Sequence, residues 1–120
     1  MEVVNDPIIT NKLISRLKTY IDSFEAVGTP FEKIFNNDKI KYDCYDNNFF
    51  CFKMHSDHRR TFRLLYRFVR KAVGYDIEPH MVVLKRDTNK SKREYVEQFE
   101  KYAKSYKENK QISKGGLRCT

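Results

Sequence analysis

The sequence predicts an α+β domain: a small three-stranded sheet, made of a hairpin plus one parallel crossover strand, packed with about four helices in the order ααββαβα. Three observations point there. Apolar residues recur at helical spacing near both ends of the 120-residue chain. Polarity alternates on either side of Asp46, Asn47 and Asn48. The stretch DHRRTFRLLYRFVRKAV, from Asp57 to Val73, separates basic from apolar residues when wound at 100° per residue.

Asp6 followed by Pro7 is an N-cap and first-turn signal, and Ile9, Leu13, Leu17, Tyr20, Ile21 and Phe24 line one stripe of a first helix that ends near Gly28. Thr29, Pro30, Phe31 and Glu32 read as a capping box opening a short second helix through Phe35, closed by Asn36, Asn37 and Asp38. Lys39 to Tyr45 and Phe49 to Met54 form the hairpin. A two-residue turn would set Phe52 against Asp43. A three-residue loop instead pairs Cys44 with Phe50, Tyr42 with Phe52 and Ile40 with Met54, giving one wholly apolar face. The other face then carries Tyr45 beside Phe49, Asp43 beside Cys51 and Lys41 beside Lys53.

Ser56 or Asp57 caps the arginine-rich helix and Gly74 ends it. His80 to Arg86 (HMVVLKR) is the third strand, parallel to the second through a right-handed crossover. A last helix runs from about Lys90 to Lys110, with Tyr95, Val96, Phe99, Tyr102, Ala103 and Tyr106 on one stripe. The whole is expected to be a single compact domain over residues 1–112 with a flexible tail at 113–120.

Charge is regional. Residues 1–57 carry 7 Lys/Arg against 9 Asp/Glu, and residues 58–120 carry 17 against 7, which accounts for the overall +8. In the arginine-rich helix Arg59, Arg60, Arg63, Arg67, Arg70 and Lys71 fall within about a third of the circumference, opposite Phe62, Leu64, Leu65, Phe68 and Val69. Like charges at i,i+4 repel, and no glutamate is interleaved to cancel them. The last helix is built differently: Glu97 with Lys101 and Glu100 with Lys104 stand at i,i+4 in the favourable order. The uncompensated basic face, rich in Arg rather than Lys, suits phosphates.

These residues point to a nucleic-acid-binding protein, RNA or single-stranded DNA favoured, whose phosphate contacts are Arg59, Arg60, Arg63, Arg67, Arg70 and Lys71. Lys41 and Lys53 flank them, and Tyr45 and Phe49 act as base stackers on an open hairpin face. A helix with almost only arginines lacks the Asn and Gln that read adenine in a duplex. The alternative is an interaction or regulatory adaptor that docks an acidic or aromatic protein surface, with an oligomer within reach.

No enzyme, cofactor or metal is expected. There is no phosphate loop, nucleophile motif or paired-carboxylate pattern. Cys44, Cys51, His55 and His58 are metal-ligand types at spacing unlike a zinc site. Three cysteines and no secretory start suit a reducing cytoplasm or nucleus, and no apolar run is long enough for a membrane. The Asn-, Lys- and Tyr-rich composition suits an AT-rich genome, viral or parasitic. The element order resembles in outline small proteins of ribonucleoprotein particles, in which a compact sheet and basic helices pack on RNA. The chain carries no RRM aromatic motif, Gly-rich KH loop, zinc-finger pattern or leucine-zipper basic region, so the outline assigns no residue a role.

Overall fold

The computed structural model describes residues 2–37, 39–44, 49–55, 60–86 and 95–106, with backbone alone at 41–44 and 86. A short strand β1 (Glu2–Val3) leads into helix α1 (Pro7–Ala26) and helix α2 (Phe31–Ile34). Four strands follow, β2 (Ile40–Cys44), β3 (Phe49–His55), β4 (Arg60–Arg70) and β5 (Tyr75–Arg86), and then helix α3 (residues 95–106).

The strands form one sheet in the order β1-β5-β4-β3-β2, antiparallel at every pairing. This overturns the three-stranded sheet with a parallel crossover and about four helices. Among the described residues there are three helices, and the segment expected to be an arginine-rich helix is β4, the centre of the sheet. The outline resemblance to ribonucleoprotein components rested on that helix and falls with it.

The reason lies in two competing periods. A spacing of four puts residues on one side of both a helix and a strand, so Arg63 with Arg67 cannot tell them apart. A spacing of three can: Arg60 with Arg63 and Arg67 with Arg70 share a helical face but lie on opposite faces of a strand. Phe62, Leu64, Tyr66 and Phe68 occupy every second position, and aromatic and β-branched residues favour a pleated surface. Period two wins because both resulting faces can be buried, one by α1 and α2 and the other by α3.

The β4–β5 connection is a tight hairpin rather than a helix end. Arg70 pairs with Tyr75, Gly74 takes φ +78, and the Lys71 N–H donates to the Gly74 carbonyl at 3.1 Å. Side chains resist that positive φ, so Gly belongs there. β5 is longer than the expected His80–Arg86 strand and carries a bulge. Leu65 pairs with Met81 and Tyr66 with Pro79, which leaves His80 without an opposite residue on β4.

In the β2–β3 hairpin Ile40, Phe50 and Phe52 share the apolar face as expected, but the register is two residues away. Ile40 pairs with Phe52 and Tyr42 with Phe50, with an irregularity between Tyr42 and Cys44. A two-residue slip keeps every side chain on its face, so the polarity pattern could not distinguish the two registers.

α1 is capped as its sequence dictates. The Asp6 carboxylate accepts from the Ile8 N–H at 3.0 Å and Pro7 opens the helix. At its end Gly28 takes φ +76, while its N–H and that of Thr29 donate to the Glu25 and Phe24 carbonyls, a Schellman closure. α2 is not closed by a Thr29 capping box: Pro30 stands at the N-cap with no side-chain bond.

Two cores result. Leu13, Leu17 and Ile21 of α1 and Ile34 and Phe35 around α2 pack on Ile40, Phe50, Phe52, Leu64, Tyr66, Phe68, Ile77 and Val82. On the opposite face Tyr95, Phe99 and Ala103 of α3 cover Phe49, Cys51, Leu65 and Val83. No helix among the described residues is long and apolar enough to cross a membrane.

Candidate nucleic-acid interface

Strand alternation divides the basic residues of β4. Arg60 and Arg70 stand on the α1 face and Arg63 and Arg67 on the α3 face. They therefore do not form the single surface expected of a helix.

Several of them are committed within the molecule. Arg67 is only 18% exposed, and its Nη1 lies 3.0 Å from Glu78 Oε1, with the Tyr106 hydroxyl at 3.5 Å. Glu78 Oε1 also lies 2.7 Å from His80 Nε2, and His80 Nδ1 lies 3.0 Å from the Tyr102 hydroxyl. Burial pushes the Glu78 carboxyl up, but the hydrogen bonds from His80 and Arg67 and their charges outweigh it, so the carboxyl titrates below its ordinary range. The Tyr102 hydroxyl is pushed up, first by burial and then by Tyr106 and Glu78. Arg70 faces Glu25 of α1 at 3.8 Å and sits over the Phe68 ring. Lys71 pairs with Asp76 at 2.8 Å across the hairpin loop.

Arg63 and Arg67 also dock α3. The Arg63 guanidinium lies 4.2 Å from the Tyr95 ring centroid and that of Arg67 lies 5.5 Å from Tyr106. Tyr95 and Tyr106 are about 16 Å apart along a helix, and Arg63 and Arg67 about 13 Å apart along a strand. Each end of α3 is therefore held by an arginine–tyrosine stack.

The two aromatic stackers do not survive as a pair. Phe49 is fully buried under α3, in edge contact with His80, Tyr102 and Tyr106, so the hairpin face expected to be open is covered. Tyr45 and Arg59 lie outside the described residues, as does His58. Lys41 is placed on β2 opposite Cys51. Cys51 is buried, and exposed His55 has its Nδ1 3.1 Å from the Thr61 hydroxyl.

Basic residues gather at one end of the sheet. Lys53 pairs with Arg63 and Arg63 with Val83; one rung further out, His55 pairs with Thr61 and Thr61 with Lys85. Directly paired residues share a face, so Lys53, Arg63, His55 and Lys85 project to the α3 side. Strands stand about 4.8 Å apart, which sets Lys53 and Lys85 on strands about 10 Å apart with Arg63 between them. Neither Arg63 nor Lys85 is paired with a carboxylate among the described residues. On the reverse face of the same end Arg60 pairs with Arg86. Lys85, Glu78, His80 and the tyrosines of α3 escaped the sequence reading because each depends on β4 being a strand.

Comparison with known proteins finds no match: no family model, no curated protein and no solved structure corresponds to the chain.

Proposed function

We propose that this chain is a nucleic-acid-binding protein without catalytic activity of its own, with RNA or single-stranded DNA favoured, working in a reducing cytoplasm or nucleus. Its phosphate contacts are made from the end of the sheet where β3 finishes, β4 begins and β5 finishes. The observation that supports this is the placing of Arg63 and Lys85 on one face in neighbouring rungs, Lys53-Arg63-Val83 and His55-Thr61-Lys85, with neither of the two paired to a carboxylate among the described residues. Such a surface repels itself until an external anion neutralises it. Arg67, Arg70 and Lys71 leave the contact set because carboxylates of the same chain already face them.

A patch of this width reaches two or three phosphates, so affinity for a single strand should vary with salt at a log–log slope of about −2. Fluorescence anisotropy with labelled RNA and DNA single strands tests it. Affinity is expected to fall roughly fifteenfold for a fourfold rise in salt. Arg63→Gln with Lys85→Gln should remove most of the binding and flatten the slope, while Arg70→Gln should change little. Absence of binding at low salt would end the proposal.

A further inference from the structure

Arg63 differs from its neighbours in what surrounds it. Arg67 and Arg70 each face a carboxylate, whereas the Arg63 Nε is buried and has no hydrogen-bond partner among the described residues. Its guanidinium carbon instead lies over the Tyr95 ring, 4.2 Å from the centroid. Tyr95 is itself anchored: it is 6% exposed and meets Phe99 edge-on at 5.6 Å. Leaving a buried donor unmade is unfavourable, and a cation stacked on a ring is stabilised without using any of its N–H groups.

A guanidinium carries its donors in one plane as a rigid fork. The ring contact restrains that fork, and with Nε buried it leaves the terminal N–H groups to an outside acceptor. A phosphate matches that fork, and no carboxylate among the described residues takes its place at Arg63 or Lys85. Lys85, one rung away on β5, supplies a second charge.

We infer that Tyr95 is a positioning residue, which holds the Arg63 guanidinium so that its in-plane N–H groups receive one phosphate of the bound nucleic acid, with Lys85 beside it. The inference rests on the binding role proposed above. It makes α3 part of the interface through one ring, although the rest of its apolar stripe serves as core.

The test keeps the shape of the ring and changes only its charge distribution. In the full chain, residue 95 is replaced in turn by phenylalanine, 3,5-difluorophenylalanine and pentafluorophenylalanine, and anisotropy is read with a short fluorescein-labelled single strand. Fluorination drains the ring face, so affinity should fall stepwise, by about fivefold across the series, with an unchanged circular dichroism spectrum. In an Arg63→Gln background the same series should give a flat line. A flat series in the native background, with Arg63→Gln alone still weakening binding, overturns the positioning role and leaves the binding surface standing. Unchanged affinity in both Arg63→Gln and Lys85→Gln overturns the binding surface itself.

Discussion

Under α1 and α2 the centre of the sheet presents only apolar side chains and rings, among them Leu64, Tyr66, Phe68 and Ile77. Under α3 the buried Phe49, Cys51, Leu65 and Val83 share the face with Arg63, Arg67, Glu78 and His80. The first face is closed by a 20-residue helix with ordered caps at both ends together with α2, the second, among the described residues, by α3. Hydrocarbon burial holds the first. The first adds polar ties at its rim, Tyr75 to Asp22 and Arg70 to Glu25, whereas the second sets arginine–tyrosine contacts and a shared carboxylate directly beside its buried residues. The same strand supplies both, because alternate residues of β4 belong to different cores.

Leu64 and Leu65 put that difference to its strongest test, being adjacent, fully buried and on opposite faces. Truncation to alanine costs about 3–5 kcal/mol where the surroundings cannot collapse and about 2–3 where they can. Leu64→Ala should fall in the higher range and lower amide protection across the sheet and α1 together. Leu65→Ala should fall in the lower range and expose α3 to hydrogen exchange before the sheet loosens. Equal losses with the same exchange pattern would mean that the two faces form one cooperative core.

Next in size is Glu78→Ala, which removes the carboxylate that Arg67 and His80 share, at an expected cost of about 1–2 kcal/mol in urea unfolding. Glu78 is 44% exposed, which keeps the figure at the modest end. The sign with pH follows from its lowered carboxyl. The folded state binds the Glu78 proton less readily than the unfolded chain, so the contribution is full above the ordinary glutamate range. It is lost as pH falls through the folded value. Below about pH 4 the native protein should therefore lose stability faster than Glu78→Gln does. Parallel acid melts of the two would show that Glu78 is idle.

Tyr75 ties the other face together and responds at the opposite end of the pH scale. Its hydroxyl donates to Asp22 Oδ1 at 2.8 Å and approaches the Lys18 carbonyl at 3.3 Å. Burial first, and then the Asp22 hydrogen bond and charge, push it above the ordinary tyrosine range. Stability from this group is full below that range, near pH 10, and is lost as pH rises beyond it. Tyr75→Phe should cost about 1 kcal/mol at neutral pH and blunt the alkaline loss. An unchanged alkaline melt would assign that loss elsewhere.

How far the sequence carried depends on which period each segment obeys. Asp6-Pro7 with Leu13, Leu17 and Ile21, and Tyr95 with Phe99 and Ala103, were legible as helices because nothing in them imitates a strand. The apolar face of the β2–β3 hairpin was legible too, since parity survives a two-residue slip. β4 was misread because Arg63 and Arg67 are spaced by four, a distance both periods share, while Leu65 interrupts an otherwise regular alternation from Phe62 to Phe68. The glutamate missing from the i,i+4 positions was not missing in space: Glu78, Glu25 and Asp76 arrive from β5 and α1, where only the fold could bring them. Of the two principal contacts proposed, Arg63 is legible in the sequence as a basic residue, and Lys85 emerges once β5 is paired with β4.

The smallest expected effect comes from Lys71, and it isolates burial as the variable. Lys71 Nζ and Asp76 Oδ2 are 2.8 Å apart, as close as Arg67 and Glu78 at 3.0 Å, yet both Lys71 and Asp76 are more than half exposed, whereas Arg67 is 18% exposed. Hydrogen bonding to Lys71 and its charge hold the Asp76 carboxyl below its ordinary range, so the attraction is present. Water and salt screen it, and ordering two free side chains offsets what remains. The hairpin itself does not need the pair, since the Lys71 N–H to Gly74 bond and the positive φ of Gly74 are backbone features that survive substitution. Lys71→Ala should therefore move the melting temperature by about 1 °C or less. The Glu78→Ala loss should be several times larger. If the two substitutions cost the same, contact distance rather than the α3 cover sets the strength of the polar cluster, and the contrast between the two faces loses its physical basis.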